Sequence, residues 1–175
     1  MTIFVAQSAL SKEQCDFLLS LTKNKWSKGT TTLNDSGRKS DVCWISEGNI
    51  KQQIIDYYWV ANETAQWNFD IKDIEDIQIA RYRKGDHYNW HVDGNGINSI
   101  PNSAGHVRKI SMSIMLNDDY TGGELEIKED GGGSEMPNTI GTIIVFPSHS
   151  LHRVKPVEKG TRHSLVAWLG GPKFR

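Results

Sequence analysis

Three residues in this chain have the types and spacing to hold a metal ion. His91-Val92-Asp93 falls at the end of a predicted strand over residues 88–93. In an extended strand, residues i and i+2 share a face, so the imidazole and the carboxylate can reach one ion. A second histidine from another strand would complete a face of two imidazoles and one carboxylate. That face leaves three positions of an octahedron open, and it is the usual arrangement of non-haem Fe(II) oxygenases. The bare His-x-Asp triplet is a weak signal, and its bland reading is a solvated histidine beside an acidic turn residue. Two histidines could complete the set, both within Phe146-Pro147-Ser148-His149-Ser150-Leu151-His152. His149 sits in a Pro/Ser turn, whereas His152 opens the next strand. A strand holds a ligand more rigidly than a turn, which makes His152 the better candidate. His87, His106 and His163 are read as surface or supporting residues.

A second constellation follows on the last predicted strand. Arg162 is followed at i+2 by Ser164, and Trp168 falls on the same face. A buried guanidinium binds a carboxylate through two parallel N–H bonds, and the serine hydroxyl adds a third. The bland reading is a surface arginine paired with an acid such as Glu158.

Two helices and a run of strands must position these residues. Ser11-Lys12-Glu13-Gln14 has the form of a capping box, with Ser at the N-cap and Gln at N3. The helix it opens is predicted to run to about Asn24, with Phe17, Leu18 and Leu21 inward. Residues 27–39 are polar and read as a loop. Ile50, Ile54, Tyr57, Tyr58, Ala61 and Ala65 recur at helical spacing and predict a second helix. Both helices are expected to pack on the outside of a sheet.

From Ile74 the period changes to two. Ile77, Ile79 and Tyr82 alternate, and further strands are predicted over 88–93, 109–116, 124–128, 139–146, 151–155 and 162–169. Turn residues fall at 120–123, 130–133 and 158–160. The expected fold is mainly β with flanking helices, an antiparallel sandwich or jelly roll. Residues 94–107 form a long polar loop directly after His91-Val92-Asp93, and loops of that length often serve as lids. The whole chain, 1–175, reads as one domain, with N-terminal helices over about 11–67 and a β core over about 74–170.

Composition narrows the function classes. With 37% apolar and 23% charged residues and a formal net charge of −1, the chain lacks the electrostatic footprint of a nucleic-acid binder. Its densest basic run, residues 81–84, reads as an exposed strand end. Six tryptophans hint at an aromatic-lined cleft, with core packing as the bland alternative. Cys15 and Cys43 form no CxxC pair, which fits a reducing cytoplasm. Met1-Thr2-Ile3-Phe4-Val5 lacks the pattern of a signal peptide, and no apolar run is long enough to span a bilayer, so no membrane partner is expected.

With these residues in place, the chain resembles the prolyl-4-hydroxylase-like branch of the Fe(II)/2-oxoglutarate dioxygenases. The resemblance covers roughly residues 10–172 in four ordered blocks. Leu10-Ser11-Lys12-Glu13-Gln14-Cys15 is similar to the entry of the family's first helix. Residues 82–93 are similar to its Tyr…Gly…Tyr…His-x-Asp strand. Arg108-Lys109-Ile110-Ser111, Leu116-Asn117 and Gly122-Gly123-Glu124-Leu125 resemble the next block. His152-Arg153-Val154-Lys155-Pro156-Val157, with Gly160-Thr161-Arg162 and Trp168, resembles the last.

The resemblance implies a double-stranded β-helix, cupin-like in form. It implies His91, Asp93 and His152 as Fe(II) ligands, and Arg162 as the anchor of the far carboxylate of 2-oxoglutarate. Tyr82 matches a tyrosine whose hydroxyl assists there, and Ser164 adds its own hydroxyl. The cosubstrates would be 2-oxoglutarate and O2, with ascorbate as a reductant. Many prolyl hydroxylases of this branch have Lys at the anchor position where this chain has Arg162, so the subfamily stays open. The reaction implied is C–H hydroxylation coupled to decarboxylation of 2-oxoglutarate, on a prolyl residue of a peptide or protein. The alternatives are a free amino acid or small metabolite as substrate, or a non-catalytic cupin-like metal-binding module. Related halogenases lack the carboxylate ligand, and Asp93 is present here, so hydroxylation is the better expectation. An AlkB-like nucleic-acid demethylase carries a second Arg six residues after its anchor, where this chain has Trp168. The loops 27–39 and 94–107 would decide the substrate, and nothing in the sequence speaks to oligomeric state.

Overall fold

The computed structural model describes residues 3–23, 25–30, 37–46, 48–94, 101–129 and 132–174. The chain opens with β1 (Phe4–Ala6), α1 (Lys12–Ser20), β2 (Ser27–Lys28), β3 (Arg38–Lys39), β4 (Asp41–Ile45) and α2 (Gly48–Thr64). Strands then follow one another: β5 (Asp73–Ile74), β6 (Ile77–Arg83), β7 (His87–His91), β8 (Val107–Met115), β9 (Thr121–Gly122) and β10 (Leu125–Glu129). The last are β11 (Gly132–Glu135), β12 (Ile143–Pro147), β13 (His152–Val154), β14 (Val157–Lys159) and β15 (Thr161–Gly171).

Two antiparallel sheets carry the fold. The larger runs β1-β12-β8-β15-β6-β4-β2, with β5 also paired to β15; the smaller runs β11-β10-β13-β7-β3. This is the double-stranded β-helix that the resemblance implied. Side chains on the larger sheet divide by parity, as a pleated strand requires. Ile77 and Ile79 of β6, Ile143 and Val145 of β12, and Leu165, Ala167 and Leu169 of β15 face the two helices. Their neighbours Tyr82, Phe146, Arg162, Ser164 and Trp168 face the smaller sheet and line the space between.

The helices cover the outer face as expected. In α1 the Ser11 hydroxyl accepts from the Gln14 N–H at 3.3 Å, and the Gln14 side chain accepts from the Ser11 N–H at 2.8 Å, closing the predicted box. Two details differ from the sequence reading. The helix stops at Ser20, where Leu21 and Thr22 turn their N–H groups to Leu18 and Leu19; Asn24 lies outside the described residues. Phe17 is 51% exposed, because the buried line of α1 runs through Cys15 and Leu18 instead. On α2, Ile50, Ile54, Tyr58 and Ala61 are buried, while Tyr57 is half-buried and Ala65 falls just past the helix end.

One core strand had no counterpart in the sequence reading. β4, Asp-Val-Cys-Trp-Ile, pairs with β6 and carries Val42, Cys43 and Ile45 into the core. Five residues with one charge and no flanking glycine give too short a period to register. The predicted loop 27–39 has strands at both ends: β2 pairs with β4, and β3 pairs with β7. Its middle, residues 31–36, lies outside the described residues, as do residues 95–100 of the loop 94–107 and residues 130–131 of the predicted turn.

Candidate metal and cosubstrate site

β7 and β13 are neighbours in the smaller sheet, with His91 directly opposite His152. That register brings the two imidazole rings to 4.1 Å between centroids. Each ring has its Nδ1 against a carbonyl two residues back: His91 to Asn89 O at 2.8 Å, and His152 to Ser150 O at 2.9 Å. A carbonyl can only accept, so each Nδ1 carries a proton, and Nε2 is the nitrogen left to offer a lone pair to a metal. Metal-ligating histidines are oriented in this way. Burial, together with His152 beside it, pushes the His91 pKa down to about 4, so the ring is neutral at pH 7.

Asp93 completes the group by a route the sequence reading did not foresee. β7 ends at His91, so Asp93 does not share a strand face with it. The backbone bends here, held by the N–H groups of Asp93 and Gly94, which both donate to Ser148 O at 2.9 Å. The bend turns the carboxylate in to 3.7 Å from His91 Nε2 and 3.5 Å from His152 Nε2. Ser111 of β8 donates to Asp93 Oδ2 at 2.7 Å. Its only hydroxyl proton is thereby used, so the Ser148 hydroxyl, 2.9 Å away, must donate to Ser111. Burial raises the Asp93 pKa, but the two imidazoles and Arg108 outweigh it and leave the carboxyl below its usual range. Ser111 and Ser148 are buried site residues that the sequence reading missed; the serine at i+18 from Asp93 had no local signature.

The ligand atoms of His91, Asp93 and His152 all lie within 4.8 Å of one another. Two imidazoles and one carboxylate form a donor set that suits Fe(II) with open positions. His149 is not part of it. It is exposed and packs edge-on against Phe69 and Phe174.

β15 delivers the second constellation. Arg162, Ser164 and Trp168 all line the same cavity as the three ligands, a space of about 220 Å³. Arg162 is 1% exposed. Its Nη1 donates to Ser164 Oγ at 2.8 Å and its Nη2 reaches Met115 Sδ at 3.4 Å, while Nε has no hydrogen-bond partner. Among the described residues no carboxylate pairs with it, and Glu158 does not. Tyr82, opposite Arg162 on β6, places its ring 5.4 Å from the guanidinium carbon.

The aromatic residues beside His91 are sorted by an irregularity. Four residues of β7, from Tyr88 to His91, oppose three of β13, from Val154 to His152. The extra residue is a bulge, and it breaks strict alternation. Tyr88 therefore stacks on His91 at 3.5 Å inside the cavity. Trp90, which could have lined the mouth, instead lies beneath Arg153 and Lys128 and is absent from the cavity wall. Of the tryptophans, Trp44 and Trp168 line the cavity. Arg108 stacks 3.8 Å over Trp168 and forks onto both oxygens of Glu75.

Residues 77–170 match the family described as the 2OG-Fe(II) oxygenase superfamily, more than half of the chain. The chain belongs to that superfamily. Membership brings Fe(II), 2-oxoglutarate and O2, and the triad and the buried arginine both lie within the matched segment. Among relatives, a PKHD-type hydroxylase of Synechococcus sp. (strain CC9902) is 39% identical over 101 residues, covering 57% of this chain and 43% of the relative. Another PKHD-type hydroxylase, of Paraburkholderia phymatum, is 40% identical over 92 residues, covering 51% and 40%. The chain thus spans less than half the length of these curated relatives. Solved structures of this oxygenase fold superpose over nearly the whole chain. The viral collagen prolyl hydroxylase of Paramecium Bursaria Chlorella virus-1, bound to 2OG, gives a TM-score of 0.75 at 22% identity, covering 98% of this chain and 97% of that one. A Pseudomonas putida prolyl-4-hydroxylase gives 0.74 at 19%, covering 99% and 92%. At these identities the likeness is one of fold.

Proposed function

We propose that this chain is an Fe(II)- and 2-oxoglutarate-dependent dioxygenase that hydroxylates a C–H bond of a prolyl residue in a peptide or protein. One observation carries the reading: a single cavity is lined by the His91, Asp93, His152 group and by Arg162, a buried cation with no carboxylate partner among the described residues. An uncompensated buried charge is costly, and a dicarboxylate cosubstrate supplies what is missing. The prolyl assignment is supported by the names of the relatives and structural neighbours. One neighbour, a prolyl hydroxylase from Trichoplax adhaerens, was solved with a peptide fragment. An exposed Trp44 at the cavity wall offers an apolar surface for such a substrate.

When bound, iron with 2-oxoglutarate and O2 supplies the oxidising chemistry that amino-acid side chains lack. The protein's share is positioning. His91 and His152 would present their Nε2 lone pairs to the metal, each ring fixed by its Nδ1–carbonyl bond. Asp93 would be the third ligand, oriented by Ser111 and charged at neutral pH. Arg162 would take the far carboxylate of 2-oxoglutarate through its fork, with the Ser164 hydroxyl beside it and the Tyr82 hydroxyl assisting. Phe146, Leu125 and Val154 line the cavity with apolar surface that keeps water from the reacting centre. A reducing, cytoplasmic setting suits Cys15 and Cys43, both buried as free thiols. No described helix is long and apolar enough to cross a membrane.

The test is an anaerobic titration of the protein with Fe(II) and then 2-oxoglutarate, watching for the visible charge-transfer band of the chelate. The band is expected in the wild type and absent from Asp93→Ala and His152→Ala. Iron binding without the band would favour a cupin-like metal-binding module. Succinate formation in air with prolyl peptides, against free amino acids, then tests the substrate class.

A further inference from the structure

Three arginines line the cavity, and they are not equivalent. Arg162 is the proposed cosubstrate anchor. Arg108 is neutralised by Glu75, whose two oxygens accept from its Nε and Nη2 at 2.7 and 2.6 Å. Among the described residues Arg38 has only neutral hydrogen-bond partners. Its Nε donates to Ser40 Oγ at 2.8 Å and its Nη2 to Gln78 Oε1 at 2.8 Å. Among the described residues no carboxylate pairs with its guanidinium, which lines the cavity.

The position of Arg38 is built rather than incidental. β3 pairs with β7 so that Arg38 lies opposite Tyr88. The guanidinium carbon sits 4.9 Å from the Tyr88 ring centre, and that ring stacks 3.5 Å from His91. Guanidinium, phenol and imidazole thus form one stack, with the charge a single aromatic layer from a candidate iron ligand. The bond to Gln78 ties the smaller sheet to the larger. Gly29 leaves room for the arrangement: a Cβ there would meet Ser40 Oγ at 2.5 Å and Arg38 Nε at 2.9 Å.

We propose that Arg38 is a specificity residue that binds a carboxylate of the prime substrate at the cavity wall. Neutral hydrogen bonds orient the guanidinium but leave its charge unmatched, and the group it matches best is a carboxylate. That carboxylate comes either from an acidic residue next to the prolyl residue or from the C-terminus of the substrate itself. The assignment rests on the hydroxylase reading above and narrows it.

Three peptides separate the cases: N-acetyl-Glu-Pro-Gly amide, N-acetyl-Gln-Pro-Gly amide, and N-acetyl-Gln-Pro-Gly with a free C-terminus. Their binding to the anaerobic Fe(II)–2-oxoglutarate protein is measured by calorimetry. At least one acidic peptide should bind roughly tenfold or more tightly than the neutral one, the difference expected of a charge-assisted bond. The glutamate peptide reports the side-chain source and the free C-terminus the terminal source. Arg38→Gln should bring the acid-over-neutral ratio to about one. Gly29→Ala, which pushes the guanidinium aside, should lower it too. Equal affinity for all three peptides in the wild type, or no binding of any, overturns the proposal. So does an Arg38→Gln variant that weakens all three alike and keeps the ratio, since a purely structural role predicts that. Admitting air separates this inference from its premise: an Arg38-dependent preference without product keeps the carboxylate site and removes prolyl hydroxylation.

Discussion

Arg162→Met should weaken 2-oxoglutarate binding strongly while leaving the unliganded protein as stable as the wild type or more so. The two effects have opposite signs because the guanidinium is costly until the cosubstrate arrives. It is 1% exposed, its donors reach one hydroxyl and one thioether sulfur, and Nε is unsatisfied. Methionine fills much of the same volume without a charge to desolvate. Removing one partner of a buried, hydrogen-bonded charge pair costs about 2–5 kcal/mol. The dissociation constant for 2-oxoglutarate should therefore rise roughly 30-fold to several thousand-fold. The assay is an anaerobic thermal melt of the Fe(II) protein with and without cosubstrate. At 100 times its dissociation constant, 2-oxoglutarate adds about 2.7 kcal/mol to the wild type. For a chain of this size that is a shift of roughly 5–11 °C. At the same concentration the variant should shift little, and its unliganded melting point should not fall. An equal cosubstrate shift in both proteins would refute the anchor. A large fall in the variant's unliganded melting point would refute the claim that the free charge is a burden.

Two further perturbations test other parts of the structure. His152→Ala should abolish activity and the charge-transfer band, whereas His149→Ala, exposed against Phe69 and Phe174, should cost little of either; the reverse pattern would show that the turn histidine is the ligand. His163, pushed down to about 4 by burial and then by Arg81, binds fewer protons folded than unfolded. Its contribution to stability is complete above its unfolded value near 6.5 and is lost as pH falls toward 4. Melts across that window should show the wild type losing stability relative to His163→Gln as pH falls, and parallel curves would remove His163 from the account.

How far the sequence reached depends on the distance over which each feature is encoded. The capping box of α1 is written in four consecutive residues, and it formed as read. The alternation of Arg162, Ser164 and Trp168 needs only the period of one strand, and all three line the cavity. His152 could be preferred over His149 because strand and turn residues differ locally. What failed was long-range or broke a period. The i,i+2 argument for Asp93 assumed a strand that in fact ends at His91, and the carboxylate is instead aimed by Ser111 of β8 and by Ser148 in the turn after β12. A single bulge in β7 brought Tyr88 onto the face of His91, and no composition signal marks a bulge in His-Tyr-Asn-Trp-His. Arg38 lay in a stretch read as loop, and its place at the cavity wall, with no carboxylate partner among the described residues, is visible only in the assembled cavity. The candidate ligand and anchor residues are thus legible where chemistry depends on residue type and local period. The residues that orient them and select a substrate are set by the pairing of β3, β7 and β13 and by the packing of that sheet against β8, and these exist only in the fold.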